Sequence, residues 1–327
     1  MNQRNFGREE IRVSEVGLGT WQIGGSWGEI GEQDALEILR NAAQNGVTFF
    51  DTADVYGDGR SESLIGKFLQ EKPNDIFAAT KLGRAGSPGG SENFTLDAMR
   101  LHTESSLRRL GLEALDLTQL HCVPTEVLRQ GEIFDSLRAL KSEGKIRQFG
   151  ASVESMEEAL ICLEQEDLAS LQIIFNIFRQ KPIETLFEKA QEKGVALIIR
   201  LPLASGLLSG KFSSSTKFDA EDHRNFNRDG QAFNVGETFA GLPFEKGVSL
   251  ADEIKSLVPA EITMAQMALR WILDFPAVTT IIPGASNTDQ VASNVSASSL
   301  PELSPELHAK LSSFYQNEVA NYIRGPY

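Results

Sequence analysis

Short apolar runs alternate with longer amphipathic stretches along almost the whole chain. The runs fall at residues 16–24, 47–51, 76–81, 115–121, 146–151, 171–175, 195–200 and 277–282, and read as buried strands. Between and after them, apolar residues recur every three or four positions over 32–45, 61–71, 95–110, 130–143, 155–165, 183–193, 263–274 and 288–297, which predicts a helix after each strand. Asn45-Gly46 supplies the stop signal for the first of these helices. Strands alternating with helices imply right-handed crossovers and a parallel sheet, and eight such units permit closure into a (β/α)8 TIM barrel. The alternative is an open, doubly wound sheet. It lacks its usual signature, because Gly17-Leu-Gly19 and Gly24-Gly25 do not have the glycine spacing of a dinucleotide-binding turn. One stretch breaks the pattern: Ser213 to Gly247 is rich in Ser, Asn, Asp and Phe, lacks a sustained period, and forms a long loop after the seventh strand. A loop there is expected to be a lid or a binding element.

Composition narrows the partners. With 327 residues and 41% hydrophobic content, the chain is expected to form a single domain over 1–327. A formal net charge of −14 leaves no basic stripe to neutralise phosphates, so no nucleic-acid partner is expected. Cys122 and Cys162 are too few for a disulfide framework, and the four histidines show no metal-ligand spacing, so no metal is expected. The N-terminal residues are polar, and the longest apolar stretch, 195–208, is interrupted by Arg200 and Pro202. A cytoplasmic protein without a membrane partner is the expectation.

The ends of successive runs carry the chemistry. Asp51, Lys81 and His121 each close a predicted strand, and Tyr56 follows Asp51 in a glycine-containing loop. In a parallel barrel the C-terminal strand ends converge on one face. A Tyr hydroxyl there can deliver a proton if a nearby Lys lowers its pKa, an Asp can hold the Lys charged, and a His can hydrogen-bond a substrate carbonyl. Cys122 follows His121 and should point the opposite way, into packing. Trp21, Trp27, Arg84, Phe226 and the aromatic tail Tyr322–Tyr327 are candidates to line the mouth of the barrel.

The string Phe50-Asp-Thr-Ala-Asp-Val-Tyr-Gly57, followed by Ser61-Glu62, Ala79-Thr-Lys81, Leu120-His121 and Ile282-Pro-Gly-Ala285, resembles the aldo-keto reductase superfamily. Within it the chain is similar to bacterial inositol-utilisation and general-stress members. The resemblance implies a catalytic tetrad of Asp51, Tyr56, Lys81 and His121 and a nicotinamide cofactor, NADP(H) with NAD(H) left open, because the last motif lacks the cation often found beside a 2′-phosphate. It implies cofactor contacts from Thr20, Trp21, Asp51, Ser152 and Gln172, from Leu203, Ser205, Gly206, Gly210 and Lys211 around the pyrophosphate, and from Gly284, Ser286, Gln290 and Asn294 around the adenosine. Val153 stands where the family has Asn. Arg200 stands where many relatives stack an aromatic ring on the nicotinamide, and its planar guanidinium could stack there too. The implied activity is hydride transfer between nicotinamide and the carbonyl or alcohol of a small aldehyde, ketone, sugar or polyol. The alternative is a redox-sensing or regulatory cofactor-binding barrel resembling the potassium-channel β subunits.

Overall fold

The computed structural model describes residues 1–25, 30–73, 75–86 and 89–327. Trp27 lies outside them. Two short strands, β1 (Gln3–Asn5) and β2 (Arg12–Ser14), pair antiparallel. Eight parallel strands follow: β3 (Leu18–Gly19), β4 (Phe49–Asp51), β5 (Phe77–Leu82), β6 (Leu115–His121), β7 (Ile146–Ser152), β8 (Leu168–Ile174), β9 (Ala196–Arg200) and β10 (Val278–Ile281). Each pairs with its neighbours in chain order. Parallel bridges from Val16 to Ile281 and from Gly19 to Gly284 bring the last strand against the first, so the sheet curls into a nearly closed barrel.

Helices lie in all eight predicted stretches, with three differences in the backbone. The first strand ends at Gly19, because Trp21–Gly24 turn into one helical coil. The stretch 130–143 is broken at Gly131, whose φ of 84° is left-handed and separates Thr125–Gln130 from Glu132–Ser142. The stretch 183–193 breaks at Leu186. The periodicity gave no sign of the β1–β2 hairpin or of the helix Pro305–Phe314.

Two apolar layers follow from the alternation of strand side chains. Outward-facing residues pack against the helices, and inward-facing Phe49, Ala79, Leu117, Ala196 and Ile198 fill the barrel. Phe6, from the turn between β1 and β2, plugs the N-terminal end: its ring lies 4.9 Å from that of Phe77 and 5.9 Å from that of Phe49. Burying one such ring contributes about 1.5–3 kcal/mol. The opposite end stays open for chemistry. The insert after β9 packs on itself through Phe218, Phe239 and Phe244, with Phe239 and Phe244 ring centres 4.9 Å apart. Its end is regular, because Phe244–Lys255 form a helix. Among the described residues no helix is long and apolar enough to cross a membrane.

Candidate active site

Strand register brings the four candidate catalytic residues together. Asp51 ends β4, Lys81 is next to last in β5, and His121 ends β6. The Lys81 ammonium donates to Asp51 Oδ2 at 2.6 Å, to the Thr52 carbonyl at 2.7 Å and to the Tyr56 hydroxyl at 3.3 Å. The Tyr56 ring meets that of His121 edge-on at 6.0 Å and stacks on Trp21 at 5.9 Å. Tyr56 is held from below by glycine. Gly57 has φ 61°, and a Cβ there would lie 1.9 Å from the Gly24 carbonyl oxygen, so only glycine lets the loop press against the Trp21–Gly24 turn. Asp51 is tied on its other oxygen as well: Gln172 donates to Oδ1 at 2.7 Å and Gln119 at 3.4 Å. Gln119 is two residues before His121 and faces the same way, which is the signal that could have found it.

Protonation follows from burial. Burial lowers the Lys81 pKa, but Asp51 and Tyr56 outweigh it and hold the ammonium above its ordinary value. His121 is held well below its ordinary value by burial and by the charges of Arg84, Lys81 and Arg200, so its imidazole is neutral near pH 7. Tyr56 departs from the sequence-based expectation. Burial raises its pKa more than Lys81 lowers it, because the ammonium is shared with Asp51 and a carbonyl, and the phenol therefore keeps its proton.

A cleft of ≈ 800 Å³ opens above these groups, within the usual range for small-molecule sites. It is lined by Asp51, Tyr56 and His121, and by Thr20, Trp21, Ser152, Gln172 and Arg200. Leu203, Ser205, Gly206, Lys211, Gly284, Ser286, Gln290 and Asn294 continue it to one side. Lys81 lies beneath the floor, fully buried. Gly210 is not among the lining residues, and the Ser205 hydroxyl is spent on the insert, accepting from Phe239 N at 3.1 Å. Of the mouth candidates, only Trp21 lines the cleft among the described residues. Arg84 lies behind Glu237, Phe226 is 41% exposed, and Tyr327 packs against Arg179 and Tyr315.

The sequence pattern of the Aldo/keto reductase family matches residues 15–316. This chain belongs to that family. It is 28% identical to an uncharacterised oxidoreductase, YqkF, of Bacillus subtilis over 98% of both chains. Among solved structures, a glycerol dehydrogenase from Gluconobacter oxydans superimposes with a TM-score of 0.78 at 30% identity, covering 99% of this chain and 98% of that one. An aldo-keto reductase from Bacillus halodurans in its holo form gives 0.78 at 26% identity over 96% of both. The chain is thus an NAD(P)-dependent oxidoreductase.

In this aldo-keto reductase the cleft suits a nicotinamide cofactor. Ser152 Oγ lies 3.4 Å from Gln172 Oε1, and these two adjacent polar groups are placed to meet a carboxamide. Gly284 leaves room for another amide: a Cβ there would lie 2.0 Å from Gln22 Nε2. Gln22 lines the cleft and escaped the sequence reading, because its segment was expected to be strand. Arg200 is not free. It donates to the Val153 carbonyl at 3.1 Å and lies 3.7 Å from Glu237, a residue of the insert that sequence reasoning also missed. Cys122 does not sit in apolar packing as expected. At φ 51° it approaches Glu237 Oε1 (3.6 Å) and Arg200 Nη2 (3.9 Å), although burial raises its thiol far above the reactive range.

Proposed function

We propose that this chain interconverts a small aldehyde, ketone, sugar or polyol with its alcohol or carbonyl partner, with Tyr56 as the proton donor and acceptor. NADP(H) is the first cofactor to test, and NAD(H) the second. The observation that carries the reading is the line of three groups under the cleft, with Asp51 2.6 Å from Lys81 and Lys81 3.3 Å from the Tyr56 hydroxyl. The bound nicotinamide supplies or accepts the hydride. Tyr56 holds a proton at neutral pH and can pass it to the oxygen of a carbonyl that is gaining electron density. Lys81 stabilises the phenolate that remains, and Asp51 with the Thr52 carbonyl keeps the ammonium charged and aimed. Neutral His121 can donate one hydrogen bond to the same substrate oxygen, which orients it and stabilises developing charge. Ser152 and Gln172 would hold the carboxamide. Because the resting phenol is protonated, reduction starts from the prepared state and oxidation must first remove that proton.

The test is to follow nicotinamide absorbance with purified protein, both cofactors, and a panel of aldehydes, aldoses, inositols and glycerol. Turnover with at least one carbonyl or alcohol is expected. No change with any compound and either cofactor would overturn the reading.

A further inference from the structure

Along the cleft at Arg200 and Glu237, and behind them, guanidiniums outnumber the carboxylates beside them. Three guanidiniums, Arg84, Arg179 and Arg200, gather around two carboxylates, Glu154 and Glu237. Arg84 and Arg200 both point at the same Glu237 oxygen, at 3.5 Å and 3.7 Å. These are long contacts, since a charge-assisted hydrogen bond is normally about 2.7–2.9 Å. Arg179 is 2% exposed, and among the described residues its guanidinium hydrogen-bonds only to main-chain carbonyls, those of Glu154, Ala240 and Pro326. Its guanidinium lies against Gly236, beside Glu237. Arg200 Nε is buried without a hydrogen-bond partner among the described residues.

The neighbouring acids are committed elsewhere: Asp51 to Lys81, Glu62 to Arg109, Asp222 to Arg224, and Asp229 to Arg324. Burial and the proximity of Glu237 push Glu154 up, which only enlarges the imbalance. Cys122, Glu154 and Glu237 do bring ligand atoms within 4.8 Å of one another, but the guanidiniums around them oppose a cation there. A group that completes this wall must be an anion. Arg200 and Glu237 line the cleft alongside Tyr56 and His121, so the anion would be part of the molecule being turned over.

We propose that the enzyme selects carbonyl substrates that carry a carboxylate or phosphate a few bonds from the reacting carbon, received by Arg200 with Arg84 behind it. The proposal rests on the function proposed above and names its substrate class.

Two matched pairs test it: succinic semialdehyde against butanal, and glyceraldehyde 3-phosphate against glyceraldehyde. In at least one pair the charged member should have a kcat/KM about tenfold higher, carried by KM, and the advantage should shrink as salt is added. The pair that responds tells carboxylate from phosphate. Arg84→Met should bring the charged-to-uncharged ratio towards one, and Glu237→Gln, which removes the competing acid, should raise it. The two variants move the ratio in opposite directions, so loss of folding in one leaves the other decisive.

Equal turnover within both pairs, or a ratio unmoved by either variant, would overturn the proposal. So would weakened cofactor binding in Arg84→Met with the ratio intact, which would assign the surplus charge to the cofactor. These outcomes differ from failure of the oxidoreductase reading, in which no member of either pair reacts.

Discussion

The two charged clusters at the cleft are built on opposite principles. In the corner of Asp51, Lys81 and Tyr56 the ion pair is made at short range: Asp51 accepts from Lys81 and Gln172, and Lys81 reaches two further oxygens. Beside it, Arg84 and Arg200 share one oxygen of Glu237 at longer range, and among the described residues one Arg200 guanidinium nitrogen has no hydrogen-bond partner. The corner is a network whose members fix one another, which suits a proton transfer that repeats in every turnover. The wall is underfilled, which suits a surface that a ligand completes.

The largest expected effect comes from opening the saturated side. Lys81→Met leaves the buried Asp51 carboxylate without its ammonium, and breaking such a pair costs on the order of 3–5 kcal/mol. Denaturant unfolding should report that loss, and turnover should vanish with it; a loss below about 1 kcal/mol would mean that the two glutamines alone can carry Asp51. Gly57→Ala should come next. The new methyl meets the Gly24 carbonyl in a left-handed backbone, so about 1–3 kcal/mol of stability is expected to go, and displacement of Tyr56 should lower turnover up to ~10²-fold. Unchanged activity in this variant would show that the corner tolerates a shifted tyrosine.

Asp54 locates a cost beneath the corner. Both its carboxyl oxygens are buried without a side-chain hydrogen-bond partner among the described residues, and burial followed by repulsion from Glu62 pushes its pKa from 3.8 to about 7. Between about pH 4 and pH 7 the folded protein keeps a proton that the unfolded chain has released, so this group lowers stability as pH rises through that window. Asp54→Asn should therefore raise stability by up to a few kcal/mol at pH 8 and change it little at pH 4. Thermal unfolding at the two pH values checks the sign, and equal shifts at both would contradict it.

The smallest effect belongs to the wall. An isolated guanidinium beside a nicotinamide ring would disfavour the positively charged oxidised form, but Glu237 at 3.7 Å offsets much of that field. Arg200→Tyr should change the ratio of dissociation constants for oxidised and reduced cofactor several-fold at most. Titration of both forms decides it: a change of a hundredfold or more would show that Arg200 acts on the ring unscreened.

The same contrast explains what the sequence made legible. Asp51, Lys81 and His121 end apolar runs, and parallel register carries such positions to one face, so the corner could be read from spacing alone. The barrel was legible for the same reason, since its eight strands pair in chain order. Glu237 was not. It reaches Cys122, 115 positions away, only because the insert folds back through its phenylalanines and the Ser205 hydroxyl. The β1–β2 hairpin escaped because strands of three mostly exposed or polar residues leave no period to detect. The direction of the Tyr56 shift was misjudged because the neighbouring Lys is visible in sequence and burial is not.

In the proposed reaction Tyr56 gives and takes the proton while the rest of the corner holds it in place. Single-turnover hydride transfer in Tyr56→Phe, at saturating cofactor and carbonyl substrate, tests this most directly, because the change deletes one hydroxyl and almost no volume. The rate should fall on the order of 10²–10⁴-fold, with cofactor affinity within about twofold of wild type. A rate near that of wild type would contradict the account and move the proton to another group.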